Sequence, residues 1–325
     1  MINQIRNIAF FWVVLLFAGN MSSFSGEINL NGEWKLRIGD NKNWADPAFN
    51  DADWAVINAP KPWEDQGFRG YDGMAWYRKT ITVGSDFQGQ DLVLQLGYID
   101  DIDEVFVNGQ KIGQTGSFPP SYSTAYNALR RYLLPGKFLR FGKENVIAVR
   151  VYDSQLEGGI VGGDLKIYSE GKSLNLDIDL SGNWMLNRGM ESDPSKAKPI
   201  IVPGMWENQG FDYDGYAVYA TRFAVPKHLV GERMVLLAGR IDDIDRVYIN
   251  KQYVGSTGKY FDRICDENYR EFRNYFIHPE VLKAGENSIE IKVYDEHGEG
   301  GIIQGPVGIV TQKKFREYWK SKRKY

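Results

Sequence analysis

The sequence predicts an all-β chain of two tandem β-sandwiches, and three observations carry that expectation. Ile99-Asp100-Asp101-Ile102-Asp103 returns as Ile241-Asp242-Asp243-Ile244-Asp245, 142 residues on. A period this long far exceeds the unit of a solenoid, so each copy is read as a whole domain. Short runs alternating apolar and polar residues recur between Gly- and Pro-rich punctuation, while helical periodicity is scarce before the last dozen residues. Such a pattern without interleaved helices predicts sandwiches or barrels.

From the N-terminus, Arg6 precedes the apolar run Ile8 to Ala18, and Ser23 and Ser25 stand before Gly26. This is the layout of a signal peptide over 1–25, so export to the periplasm, cell surface or medium is expected. Eleven apolar residues cover about 16 Å as a helix, half a bilayer, and no stable membrane span is expected. No cysteine stands near the cleavage region for lipid attachment, and a lone Cys265 rules out an intrachain disulfide.

The first domain is placed at 26–171. Strands are expected at Leu92 to Leu96, Val105 to Val107 and Asn145 to Tyr152, with Asn108-Gly109 closing a hairpin that needs two positive φ values. A linker near Gly171 to Leu176 leads to the second domain at 177–312. Matching strands there are Met234 to Leu237, Val247 to Ile249 and Asn287 to Tyr294, with Asn250-Lys251 at the hairpin, where a loosened turn is expected. The same offset relates Tyr71-Asp72-Gly73 to Tyr213-Asp214-Gly215, Val151-Tyr152-Asp153 to Val293-Tyr294-Asp295, and Gly158-Gly159-Ile160 to Gly300-Gly301-Ile302. The tail 313–325 carries seven basic residues against Glu317 and reads as a short basic amphipathic helix docking through Phe315, Tyr318 and Trp319.

Net charge is −3, and with the tail set aside the body is mildly acidic, so nucleic acid is not an expected partner. Three histidines without metal-ligand spacing, and a Cys265 with no histidine neighbour in sequence, leave no recognisable hydrolase machinery. Asp295 and His297 lie two apart but lack a nucleophile, and the glycine clusters at 158–163 and 300–305 read as tight turns rather than phosphate cradles. The aspartates Asp100, Asp101 and Asp103, with Asp242, Asp243 and Asp245, admit two uses. They shape the bend before the following strand and pair with an arginine such as Arg78 or Arg131, or they ligate a structural Ca²⁺. Catalysis by such a pair is disfavoured because successive carboxylates on a strand face opposite ways. No other cofactor is expected.

The runs WEDQGF (63–68), YDGMAWYRK (71–79), IDDIDEVFVNGQKIGQTG (99–116) and NVIAVRVYD (145–153) together resemble the N-terminal sugar-binding domain of glycoside hydrolase family 2. They are equally similar to the β-sandwich insert of sialate O-acetylesterases, both of the galactose-binding-like jelly-roll group. The opening GDNKNWADPAFNDADW (39–54) fits that pattern, and the second copy follows it more loosely, with Val218 for Trp76 and Ala220 for Arg78. The resemblance implies two jelly rolls, a carbohydrate ligand and no catalytic barrel, hence a non-catalytic binding protein or an accessory of a glycan-degrading enzyme. A divergent glycosidase or esterase is the remaining alternative. Flat sugar faces call for aromatic plates beside hydrogen-bonding groups. The candidates are Trp63, Tyr71, Trp76, Phe118, Tyr122, Tyr126, Arg130 and Arg131, with Trp206, Tyr213, Phe261, Tyr269 and Arg273 in the second copy. Trp63 is also expected to serve between the sheets, whereas the loop 116–131 is expected at the surface.

Overall fold

The computed structural model describes residues 26–258, 268–298 and 300–322. The expected leader, Phe261 and Cys265 lie outside the described residues. The first half comprises β1 (Glu27–Asn29), β2 (Gly32–Ile38), β3 (Ala55–Ala59), β4 (Gly73–Thr82), β5 (Gln90–Asp100), β6 (Ile102–Val107), β7 (Gln110–Thr115), β8 (Leu129–Leu134), β9 (Glu144–Asp153) and β10 (Gly159–Lys172). The second comprises β11 (Ile178–Asp179), β12 (Gly182–Arg188), β13 (Lys198–Val202), β14 (Gly215–Val225), β15 (Met234–Asp242), β16 (Ile244–Ile249), β17 (Gln252–Thr257), β18 (Phe272–Ile277), β19 (Gly285–Asp295) and β20 (Gly301–Thr311), then α1 (Gln312–Lys322).

Each half pairs a six-stranded sheet with a four-stranded one, all antiparallel. The orders are β3-β2-β4-β9-β6-β7 with β1-β10-β5-β8, and β13-β12-β14-β19-β16-β17 with β11-β20-β15-β18. The two topologies are the same, strand for strand. Period-2 alternation turns one face of each sheet inward, and the two inner faces close a core. In the first half it contains Trp34, Trp63, Tyr77, Leu94 and Val149; in the second, Trp184, Trp206, Tyr219, Leu236 and Ile291. Strands run longer than the sequence suggested because their flanks continue pairing through polar residues.

The two hairpin turns behave alike. Asn108 and Gly109 have φ of 49° and 80°, and Asn250 and Lys251 have 49° and 66°. The second turn is therefore not loosened. Lys251 sits in the left-handed region, held by the same Asn hook: Asn250 Nδ2 donates to Val281 O at 2.9 Å, as Asn108 Nδ2 donates to Phe138 O at 2.7 Å. Helix α1 lays Phe315 and Tyr318 against Leu174, Val235 and Val310, while Trp319 stays 39% exposed. Lys314 Nζ reaches Asp177 at 2.6 Å. Among the described residues no helix is long and apolar enough to cross a membrane.

Candidate functional site

Asp101 occupies the corner where the chain leaves the four-stranded sheet (β5) for the six-stranded sheet (β6). Beyond it, Asp103 and Arg130 form an ion pair of 2.7 Å with both side chains at 0% exposure. Arg130 spends its other donors on the carbonyls of Asp101, Ala125 and Ala128, and Tyr132 donates its hydroxyl to Asp103. The second half repeats this: Arg273 meets Asp245 at 2.8 Å and caps the carbonyls of Ile241, Asp243, Asn268 and Glu271, while Tyr275 donates to Asp245. A buried guanidinium requires this full satisfaction. Four expectations are corrected here. Arg130 and Arg273 are interior clamps rather than sugar ligands, and Asp103 and Asp245 are their partners rather than metal ligands. Nor do Arg78 or Arg131 serve the aspartate cluster: Arg78 pairs with Asp51 at 2.7 Å and Arg131 with Glu170 at 3.0 Å.

The remaining aspartates converge with residues not proposed from sequence. Asp100 and Asp101 meet Asp153 at the end of β9, and Asp242 and Asp243 meet Asp295 at the end of β19; in each trio one oxygen per residue lies within 4.8 Å of the others. Alternation does not separate Asp100 from Asp101 because the strand ends between them. Asp101 accepts hydrogen bonds from Tyr122 Oη (2.8 Å), Ser154 N (3.0 Å), Ser154 Oγ (2.7 Å) and Thr124 Oγ1. Against the desolvation of its site, these donors hold its carboxyl below the usual range. Asp100 and Asp153 shift oppositely, each to about 7, by desolvation and then by the neighbouring carboxylates. Asp242 rises to about 7 and Asp295 to about 6 for the same reasons. Behind Asp295, desolvation lifts Glu207 to about 7, and Glu207 accepts from Gly300 N at 2.9 Å. The sequence signal for Asp153 and Asp295 was their identity in both copies, closing the repeated Val-Tyr-Asp.

The aromatics divide by burial. Trp63, Trp76 and Trp206 are each 0% exposed, so a sugar cannot reach them. Trp63 stacks on Tyr77 and Trp206 on Tyr219, with ring centroids 6.4 Å apart in both pairs. Trp76 belongs to a satellite core with Trp54 and Phe106. Beside Trp63 the backbone of Gly158 runs so close that a methyl group there would lie 2.3 Å from the indole, and Gly300 is placed likewise against Trp206 at 2.2 Å. This tight approach is what the glycine clusters provide. Tyr71 and Tyr213 are half-buried, edge-on to Trp63 and tilted to Trp206 respectively. Phe118 is half-buried beneath Arg150, 4.2 Å from the ring centroid. Tyr122, Tyr126 and Tyr269 are exposed, as is Arg131.

Loop 116–131 does reach the surface, and its first part forms one wall of a cleft of about 580 Å³ against the second half. Ser117, Ser121, Tyr122 and Ser123 face Arg188, Lys196, Lys198, Phe211 and Asp212 across it. Arg188 lies over the Tyr213 ring at 5.0 Å. A second cleft of about 540 Å³, also between the halves, has Arg131, Tyr132 and Glu170 facing Pro203 and Asn208. Tyr126 and Tyr269 line neither.

No protein-family model matches the chain. In sequence it is 29% identical over 140 residues to a beta-galactosidase of Bacteroides ovatus, a match covering 39% of this chain and 15% of that protein. It is 31% identical over 141 residues to a beta-glucuronidase of Formosa agariphila, covering 38% and 13%. The chain thus spans about one-seventh of the length of these curated relatives. Among solved structures, beta-glucuronidase 2 of Bacteroides uniformis aligns with 84% of this chain and 28% of its own at 18% identity, with a TM-score of 0.39. The sequence matches agree with the resemblance to the sugar-binding domain of glycoside hydrolase family 2, and mark part of the chain as carbohydrate-related.

Proposed function

We propose that this chain is a non-catalytic saccharide-binding protein, exported by its leader and acting beside a glycan-degrading enzyme. The observation that carries the reading is the 580 Å³ cleft between the halves, bordered by the serine-rich loop and a cationic rim. Its volume suits one or two sugar rings, and its hydroxyls, Tyr122 and Asp212 supply the polar contacts that fix a polyol. Arg188, Lys196 and Lys198 outnumber Asp212 there, which favours a saccharide bearing a carboxylate or sulfate. The similarity to a beta-galactosidase and a beta-glucuronidase supports a sugar ligand without selecting it.

Calorimetric titration of the full chain with galactose-terminated, glucuronate-terminated and sulfated oligosaccharides tests this. The expected outcome is saturable binding of an acidic member, weakened at least tenfold in Arg188→Ala. Absence of binding to all three at millimolar concentration refutes it. Ordinary enzymatic turnover of a chromogenic glycoside refutes the non-catalytic part.

A further inference from the structure

We propose that each half of the chain binds one hard divalent cation of the Ca²⁺ type, one held by Asp100, Asp101 and Asp153 and the other by Asp242, Asp243 and Asp295. The geometry is the first support. Oxygens on opposite sides of a Ca²⁺ stand about 4.6–5.2 Å apart, twice the Ca–O distance of about 2.3–2.6 Å. Three carboxylate oxygens within 4.8 Å of one another therefore already fit around a single ion. All donors are oxygen, which selects Ca²⁺ over metals that favour nitrogen or sulfur.

The second support is independent of the clustering. Asp153 is 0% exposed, and among the described residues its Oδ2 has no hydrogen-bond partner; Asp295 is 1% exposed, and its carboxylate oxygens lie near His297 N without a hydrogen bond of normal geometry. Buried carboxylate oxygens are ordinarily satisfied, and an orphan beside two further carboxylates asks for a positive charge. Among the described residues no cationic side chain is hydrogen-bonded to these carboxylates. Arg130 and Arg273 bear on Asp100 and Asp242 through space, but they donate to Asp103 and Asp245 and to backbone carbonyls, those of Asp101 and Asp243 among them, rather than to the trio carboxylates. Glu157 and Asp72 beside the first trio, and Asp214 beside the second, only add negative charge.

The third support is duplication. All three carboxylates recur at the same topological positions although many surrounding residues differ. In the first half the partners of Asp101 are Tyr122, Thr124 and Ser154, which orient it as outer-shell groups orient a metal ligand. In the second half Glu296 N donates to Asp243 at 3.0 Å. A cation at the first trio would thereby tie loop 116–131 to the end of β9.

The test reads the ion alone and does not depend on any saccharide. The full chain, stripped with EDTA and dialysed, is titrated with CaCl₂ by calorimetry, with a thermal scan alongside. Two ions per chain are expected, with dissociation constants in the range of roughly 10⁻⁶ to 10⁻³ M, and a rise of several degrees in the melting temperature. Asp153→Asn and Asp295→Asn should each reduce the stoichiometry to one, and the double variant to zero. Absence of both heat and thermal shift in the unmutated protein at 10 mM CaCl₂ overturns the proposal, whether or not the variants fold. A stoichiometry other than two, or one unchanged in folded variants, overturns it as well.

Discussion

Removing one member of the Asp103–Arg130 pair should be among the most damaging single changes in the first half. Both side chains are at 0% exposure and 2.7 Å apart, so truncating either leaves its partner charged and sealed from water. Loss of one partner of a buried pair costs about 3–5 kcal/mol. Asp103→Leu falls at the lower end, because Arg130 keeps three backbone carbonyls. Arg130→Met falls at the upper end, since it orphans those carbonyls and leaves Asp103 with only Tyr132. The double variant removes both charges, and its cost reduces to the unpaired carbonyls, about 4 kcal/mol. The cycle should therefore show coupling of roughly 4 kcal/mol, somewhat beyond the usual range for contacting residues. Urea denaturation followed by tryptophan fluorescence reads it, with Trp34, Trp63 and Trp76 reporting on this half. Arg131→Met is the control: its pair with Glu170 is 48% and 46% exposed and should matter by less than about 1 kcal/mol. Additivity of the two buried substitutions within about 0.5 kcal/mol would refute the reasoning.

Three further outcomes follow from the same geometry. In EDTA the protein should melt at a higher temperature at pH 5 than at pH 8: Asp100, Asp153, Asp242, Glu207 and Asp295 have folded values near 6 to 7, above their unfolded values near 4, so they favour the folded state at low pH and that contribution disappears as pH rises through 6 to 7. A higher melting temperature at pH 8 would contradict the clustering. Gly158→Ala should destabilise by about 1–3 kcal/mol, since its methyl meets the Trp63 indole, whereas Gly162→Ala, whose nearest neighbour would be 4.0 Å away, should be nearly neutral; equal effects in denaturant titration would remove the packing argument. Phe315→Ala should loosen α1 and cost about 1–3 kcal/mol, seen as earlier proteolysis at the C-terminal end; unchanged digestion would show the helix does not depend on that contact.

The all-β architecture was legible because alternation and repetition are written locally: residues 145–152 and 287–294 declare their inward faces residue by residue. The site was only partly legible. Burial of an aromatic depends on which strand lies behind it, so Trp63 and Trp76 could not be separated from Tyr122 by composition or spacing. Likewise Arg130 and Arg131 are neighbours in sequence yet point to opposite sides of β8, one into the core and one to solvent. Asp153 meets Asp100 only through pairing across two sheets, a non-local fact that no window of sequence contains.

The replacement of Trp76 by Val218 and Arg78 by Ala220 in the second copy follows from the length of one connection. In the first half β2 and β3 are joined by the sixteen residues 39–54, whose Trp44, Phe49 and Trp54 fold onto Trp76. Arg78 pins that loop by bonding to Asp51 and to the carbonyls of Trp44, Asp46 and Phe49, and Arg150 adds a 2.6 Å bond to Asp40. In the second half β12 and β13 are joined by only the nine residues 189–197. With no long loop to hold, the anchoring indole and guanidinium have no work, and Lys292, the register partner of Val218, reaches Glu191 of the short loop instead. Shortening has a consequence for the cleft. Arg188 ends β12 and Lys198 begins β13, so both flank the short connection and line the cleft. The cationic residues of that cleft wall therefore come from the ends of these two strands and from Lys196 in the turn between them.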